Sequence, residues 1–325
     1  MSISKTGILL VNLGTPDAPT PWGVIKFLRA FLSDKRVVEY PRWLWLFILY
    51  GIVLPLRAIK IAKHYQKIWT NQGSPLRTLT TQLSKRLALY LSQQKGYDVP
   101  VVCAMTYGTP SLKEGLSSIK AMNVSRLIVL PLFPYYSATT TAAVMDALAR
   151  QLAKERSIPS LFFIHEYGLE EHYLAALAKS IECYWQAHGL PERLLFSFHG
   201  LPERSLSLGD PYAFRCVTAV ERLAKKLNIA ENFFSIGFQS RFGFRAWLAP
   251  STNEQLVNWA QEGIQSVDIV SPSFAVECLE TLEELEAQSR SLFLKAGGKN
   301  FRYIPAMNDS EDHVRAIGRL FDNFF

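Results

Sequence analysis

The sequence is short of cysteine. Its 325 residues contain four, Cys103, Cys183, Cys216 and Cys278, and no two form a CxxC pair. That spacing argues against a zinc ribbon and a disulfide framework and points to a reducing compartment. Short motifs of common enzyme classes are also missing. No GxGxxG follows a strand-like run, and GxxxxGK[ST], GxSxG and HExxH do not occur. Nucleotide binding, serine hydrolysis and zinc proteolysis therefore lack a signature. Basic residues are not clustered among aromatics, which disfavours nucleic acid as a partner. No apolar run reaches the roughly 20 residues that a membrane-spanning helix needs.

What is present is a folded chain with room for two domains: 49% of residues are hydrophobic and 19% charged. Thirty-five Lys and Arg against 28 Asp and Glu leave a net charge of +7, which suits acidic ligands or an anionic membrane surface. The opening KTGILLVNLGTP reads as a strand almost at once and not as a signal peptide, so the expected location is the cytoplasm.

One apolar run, WLWLFILYGIVLPL at 43–56, is flanked by Arg42 and Arg57. It fits a buried core helix. It fits equally an exposed lip at a lipid surface, because two tryptophans and a tyrosine between arginines resemble an interfacial anchor.

Elsewhere strand-like runs alternate with helical patterns. The strands fall at 7–12, 100–105, 126–131, 161–165, 194–198, 232–237 and 267–270. The helices fall at 23–32, 78–94, 112–121, 139–156, 170–186, 211–227, 252–262, 277–296 and 310–323. This is an α/β pattern with parallel sheets flanked by helices. ILLVNLGTP at 8–16 overlies LLFSFHGLP at 194–202, and VLPLF at 129–133 overlies VSPSF at 270–274. Two copies of one Rossmann-like unit account for the length. The expected division is 1–157, 158–305 and a terminal helical segment 306–325 packing back on the first domain.

The repeat makes His199 and Leu13 counterparts at strand ends, and Glu280 and Thr139 counterparts in the following turns. Ligands of open α/β sheets bind beyond the carboxyl ends of the strands. One wall of an inter-domain cleft would then carry a base and an acid. The other would carry an apolar residue and a hydroxyl. That asymmetry suits chemistry on one face of a flat ligand.

The blocks GILLVNLGTPDAP, FLSDKRVVEYP, HYQKIWTNQGSPL, LPLFPYYSATTT, LLFSFHGLPERSLSLGDPY, FQSRFGFRAWLAPST and SPSFAVECLETLEEL run in order over nearly the whole chain. Together they resemble the ferrochelatase family, of the bacterial type. The resemblance implies a lyase that inserts Fe(2+) into protoporphyrin IX with release of two protons, the last step of protoheme formation. It implies two similar Rossmann-like domains around a porphyrin cleft. Porphyrin and ferrous iron are the implied partners, with iron as a substrate and no cofactor held permanently. Coproporphyrin III is the rival substrate, and a non-catalytic haem carrier on the same fold is the rival class.

By that resemblance His199 and Glu280 match the essential histidine and glutamate. A neutral imidazole accepts a pyrrole proton near pH 7, and imidazole with carboxylate also ligates iron. Glu284, at i+4 from Glu280, extends either a proton or iron path or merely a solvated acidic face. A further acid found in some members is Gln288 here, which shortens any such path. Leu13 stands where some members carry a methionine or tyrosine, so iron is expected on the His199 side. Cys278 replaces a histidine of some relatives and reads as a buried thiol. Tyr107, Ser137, Ser240, Trp247 and Lys67 match blocks that contact the porphyrin, each with a structural reading beside it. Trp247 offers a flat indole and Lys67 a cation for a propionate. Many eukaryotic relatives bind an iron–sulfur cluster on C-terminal cysteines. No cysteine follows Cys278, so none is expected.

Overall fold

The run TGILLVN, with four aliphatic side chains at its centre, forms strand β1 (Thr6–Asn12), buried along its whole length. β2 (Val101–Met105) and β3 (Arg126–Pro131) pair with it on either side in parallel, and β4 (Ser160–Phe163) pairs parallel with β3. The sheet order is β2-β1-β3-β4. The computed structural model describes residues 5–241 and 246–325; four residues of the FQSRFGFRAWLAPST block, 242–245, lie outside this range. β5 (Arg193–His199), β6 (Phe234–Gln239), β7 (Ser266–Val270) and β8 (Asn300–Ile304) form a second parallel sheet, ordered β6-β5-β7-β8. The two orders are the same when each sheet is numbered from its own first strand. The internal repeat read from short motifs is thus matched in the pairing of the strands.

The chain divides into two units, 1–166 with 309–325, and 167–308. The expected division near 157 is corrected on physical grounds. β4 hydrogen-bonds along β3, with Arg126 opposite Ser160 and Val129 opposite Phe163, and so belongs to the first sheet. The terminal helix (Glu311–Arg319) belongs to the first unit, with Ser310 as its N-cap. It lies on the helix Pro75–Lys95, where a side chain at Gly318 would meet the Tyr90 ring at 2.4 Å. Leu9, Val11, Leu127 and Val129 of the sheet pack with Ile119 and Leu148 of the covering helices. In the second unit Leu195, Val267 and Ile269 pack with Leu256, Leu285 and Phe293. Each fully buried aliphatic side chain of this kind contributes about 1.5–3 kcal/mol.

β8 was absent from the expected strands. Its sequence is NFRYI, with a charge at the centre. Arg302 is tolerated there because Asp268, its register partner on β7, takes two hydrogen bonds from it at 2.6 and 3.0 Å.

Two helices differ from the expected α-type at their openings. Ala138–Ala142, after β3, and Glu280–Ser289, after β7, are wound as π-helix. Each carries one member of the Thr139–Glu280 pair. Such wide turns are rare and recur at functional sites.

The apolar run 43–56 is also longer as structure than as sequence. Helix runs without interruption from Arg42 to Ile68, 27 residues, with a π turn at Leu49–Val53. By length and composition it could cross a membrane, which corrects the expectation that the segment is too short. Only 28% of its most apolar window is buried. Trp45, Leu49, Val53, Ala58, Ala62 and Tyr65 are covered, while Trp43, Phe47, Tyr50, Ile52, Leu56 and Ile59 face outward.

Candidate active site

Strand β5 ends on the residue the sequence singled out. His199 is its last residue and is half-buried. Its Nδ1 lies 2.7 Å from the carbonyl oxygen of Gly200. A carbonyl only accepts, so Nδ1 carries the proton of the neutral ring. Nε2 is left with its lone pair and has no hydrogen-bond partner among the described residues. A backbone carbonyl holding one ring nitrogen so that the other can act is the usual arrangement of a histidine base or metal ligand.

Gly200 follows because nothing larger fits. A Cβ there would meet the carbonyl oxygen of Gln239 at 2.6 Å and the Trp247 ring at 3.2 Å. The indole therefore lies directly beside the backbone that carries His199. Trp247 is held by a bridge to Pro202.

Glu280 opens the π-helical segment that follows β7. Its backbone carbonyl accepts from Nε2 of Gln239 at 3.0 Å. Gln239 ends β6 and stands opposite His199 in the strand register. Glu284 lies one turn further and accepts a hydrogen bond from the hydroxyl of Ser240. Burial, and then the charge of Glu280, push the Glu284 carboxyl above the usual carboxylate range. The Ser240 hydroxyl opposes that rise. His199, Ser240, Trp247, Glu280 and Glu284 thus meet at the carboxyl ends of β5, β6 and β7, as expected for an open α/β sheet.

Gln288 turns its amide to Glu283, which is itself buried. Cys278 is buried, and burial raises its thiol well above the usual range, with Glu280 adding to the effect. Both effects favour the neutral thiol over the thiolate. Among the described residues no group of three or more His, Cys, Asp or Glu side chains forms a preassembled metal site.

The remaining expected residues belong to the first unit. Leu13 follows β1, half-buried, with its N–H bonded to Oδ1 of Asn12 at 2.8 Å. Tyr107 is buried after β2, and its hydroxyl donates to Asp34 at 3.0 Å, so that hydroxyl serves the loop after the first helix. Burial and the neighbouring Asp34 charge keep it far above the ordinary tyrosine range. Ser137 is buried and caps the π turn through the N–H of Thr139 at 3.2 Å. Lys67 is exposed in the last turn of the helix Leu54–Ile68. Sequence reasoning gave Gln239, Asp34 and Gly200 no role. The FQS block held the signal for the first: a polar residue closing a buried strand.

The fold defined by these two sheets is that of the two-unit chelatases. SirB from Bacillus subtilis with Fe3+ matches with a TM-score of 0.55 at 14% identity, over 97% of this chain and 93% of that one. CbiX, described as the terminal enzyme for biosynthesis of siroheme in denitrifying bacteria, matches with a TM-score of 0.53 at 15% identity, over 98% and 99%. At such identities the likeness concerns the fold. The sequence goes further: the Ferrochelatase family model matches residues 5–323. The ferrochelatase of Aeromonas hydrophila subsp. hydrophila is 47% identical over 317 residues, 98% of each chain. Ferrochelatase 1 of Shewanella oneidensis is 46% identical over 314 residues, 97% of this chain and 94% of the relative. The chain belongs to the ferrochelatase family, whose members are lyases that act as metal chelatases.

Proposed function

We propose that this chain inserts Fe(2+) into protoporphyrin IX and releases the two pyrrole protons, completing protoheme. The observation that carries the reading is the histidine with a free Nε2 at the end of β5, near enough to Glu284 for the two charges to interact, with Glu280 one turn before Glu284. Metal insertion must remove two protons from a ring that holds them at neutral pH. Nε2 of His199 accepts one. Glu280 faces the incoming metal with a carboxylate. Glu284, with its raised proton affinity, takes up a proton and passes it outward through the Ser240 side. Iron is a substrate, held transiently by His199 and Glu280 before the macrocycle takes it. A haem carrier needs one axial ligand and gains nothing from two acids beside it. Trp247 supplies an apolar face for the ring. In the first unit Leu13 and Ser137 are proposed as porphyrin contacts, Lys67 as a propionate partner, and Tyr107 as a contact through its ring edge.

The outward row of Trp43, Phe47, Ile52 and Leu56 supports a further part of the reading: reversible contact with the inner face of the cytoplasmic membrane. One side of this helix packs on its own unit, which favours lying on the bilayer over crossing it. The four free cysteines agree with a cytoplasmic setting.

The test is anaerobic incubation with ferrous iron and either protoporphyrin IX or coproporphyrin III, followed by absorbance of the metallated product. Turnover with protoporphyrin exceeding that with coproporphyrin is expected. Preference for coproporphyrin moves the assignment to the earlier porphyrin, and tight binding without metallation returns it to a carrier.

A further inference from the structure

Gln239 is buried at 6% exposure and ends β6 beside His199. Its amide is oriented by its partners, and its side chain also hydrogen-bonds the Glu284 carboxyl. The partner of Nε2 is the Glu280 carbonyl, which only accepts, so the amide nitrogen must point there, at 3.0 Å. Oε1 then accepts from the Ser197 hydroxyl at 3.0 Å. That uses the single proton of Ser197, so the Thr252 hydroxyl, 2.8 Å away, donates to Ser197. Thr252, Ser197, Gln239 and Glu280 form one directed chain of hydrogen bonds. Ser197 is fully buried, and its own carbonyl is held by Ser271 at 2.7 Å. At the other end of the residue, the Gln239 carbonyl accepts from the N–H of Gly200 at 2.8 Å. The same residue therefore grips the backbone next to His199 and the first carbonyl of the turn that carries Glu280.

We infer that Gln239 is a positioning residue for metal insertion: it fixes the Glu280 turn at a set distance from His199, and Ser197 and Thr252 lock its amide. This rests on the reading that His199 and Glu280 carry the reaction. The buried amide, anchored from the sheet, ties the opening of the π turn to the strand that neighbours His199. Groups that orient a reacting side chain typically contribute 10–100-fold to activity or metal affinity.

The test compares Gln239→Met, which keeps length and burial, with Gln239→Glu, which keeps an acceptor for Ser197 and loses the donor. Both are expected to lower kcat for ferrous iron insertion by about 10–100-fold. The KM for porphyrin should stay within about twofold, because the amide positions the acid and not the macrocycle. Ser197→Ala, which frees the amide and leaves the Thr252 hydroxyl without its acceptor, should show the same pattern at smaller size. A folded Gln239→Met with wild-type kcat overturns the inference, and so does a parallel loss of kcat and porphyrin affinity. If Gln239→Met does not fold, wild-type kcat in Gln239→Glu or Ser197→Ala overturns it instead. Glu280→Gln is measured alongside. Full turnover there removes the underlying assignment. Its loss, with Gln239 variants unaffected, removes only the positioning role.

Discussion

Ser240 donates its hydroxyl to the Glu284 carboxylate from a backbone held at φ +63°. A left-handed serine is uncommon, and such conformations persist where the surroundings over-determine them. The hydrogen bond favours the ionised acid against burial and the Glu280 charge, which both raise its pKa. Ser240→Ala removes that support, so the Glu284 pKa rises further. If turnover needs the carboxylate, less of the enzyme is competent at a given acidic pH. The acid limb of kcat/KM against pH should then move to higher pH. A limb that stays in place, or moves to lower pH, shows that Glu284 does not carry the proton.

His199→Ala should lower insertion by at least about 100-fold, the size expected for loss of a positioned base. Porphyrin binding, followed by fluorescence quenching, should persist, because Trp247 and the apolar surroundings remain. Near-normal turnover in this variant would falsify the assignment of the base.

Much of this was legible beforehand, and the exceptions share a cause. β1, β3, β5 and β7 announced themselves as aliphatic runs closed by Gly and Pro. His199 stood out because it breaks the pattern at the end of such a run, whereas Glu280 was reached through the repeat and the family resemblance. β8 was not, because Arg302 interrupts it and its justification, Asp268, lies on another strand. The same holds for Gln239, whose amide serves a carbonyl 41 residues away. The repeat contained the missing strand in principle, since β4 required a counterpart. The division at 157 failed because β4, although legible as a strand, is short and exposed along most of its length, and its pairing with β3 cannot be read from its own residues. A polar residue justified by a partner remote in sequence reads locally as a strand end or a loop.

Arg302 and Asp268 offer a test of that partnership. The Asp268 side chain is fully buried and the Arg302 side chain is 14% exposed, with the shortest contact at 2.6 Å. Trp185 adds a third hydrogen bond to Asp268 at 2.9 Å. Arg302→Met strands a buried carboxylate, which should cost about 3–5 kcal/mol of stability. Burial already raises the Asp268 pKa, although Arg302 opposes it. Without Arg302 it rises further, so the folded state binds more protons than the unfolded one above the normal carboxylate pKa. Stability of the variant should therefore fall as pH rises through that window and partly recover in acid. Urea melts at several pH values check this. An unchanged midpoint would show that the pair contributes nothing net.

The apolar helix gives the last prediction, and its burial pattern selects the variants. Trp43 and Phe47 are 77% and 75% exposed, whereas Trp45 is 5% exposed and donates its indole N–H to the Leu32 carbonyl at 2.6 Å. Replacing Trp45 therefore tests folding, and replacing Trp43 and Phe47 tests the surface. Arg42, at the start of the helix, is bound to the Ser33 carbonyl, so the exposed cations that follow the apolar run most closely are Arg57, Lys60 and Lys63. Near an anionic bilayer each contributes about 1 kcal/mol. Wild-type chain should cosediment with vesicles containing phosphatidylglycerol and be released by high salt. The double variant Trp43→Ser with Phe47→Ser should keep its melting temperature and lose most of that binding. Trp45→Ser should instead lower the melting temperature. Protoporphyrin is poorly soluble in water, so vesicle-loaded porphyrin should be metallated more slowly by the double variant, while porphyrin dispersed in detergent is used at the wild-type rate. If wild type never sediments with the vesicles, or the double variant binds them equally well, the outward face does not meet lipid.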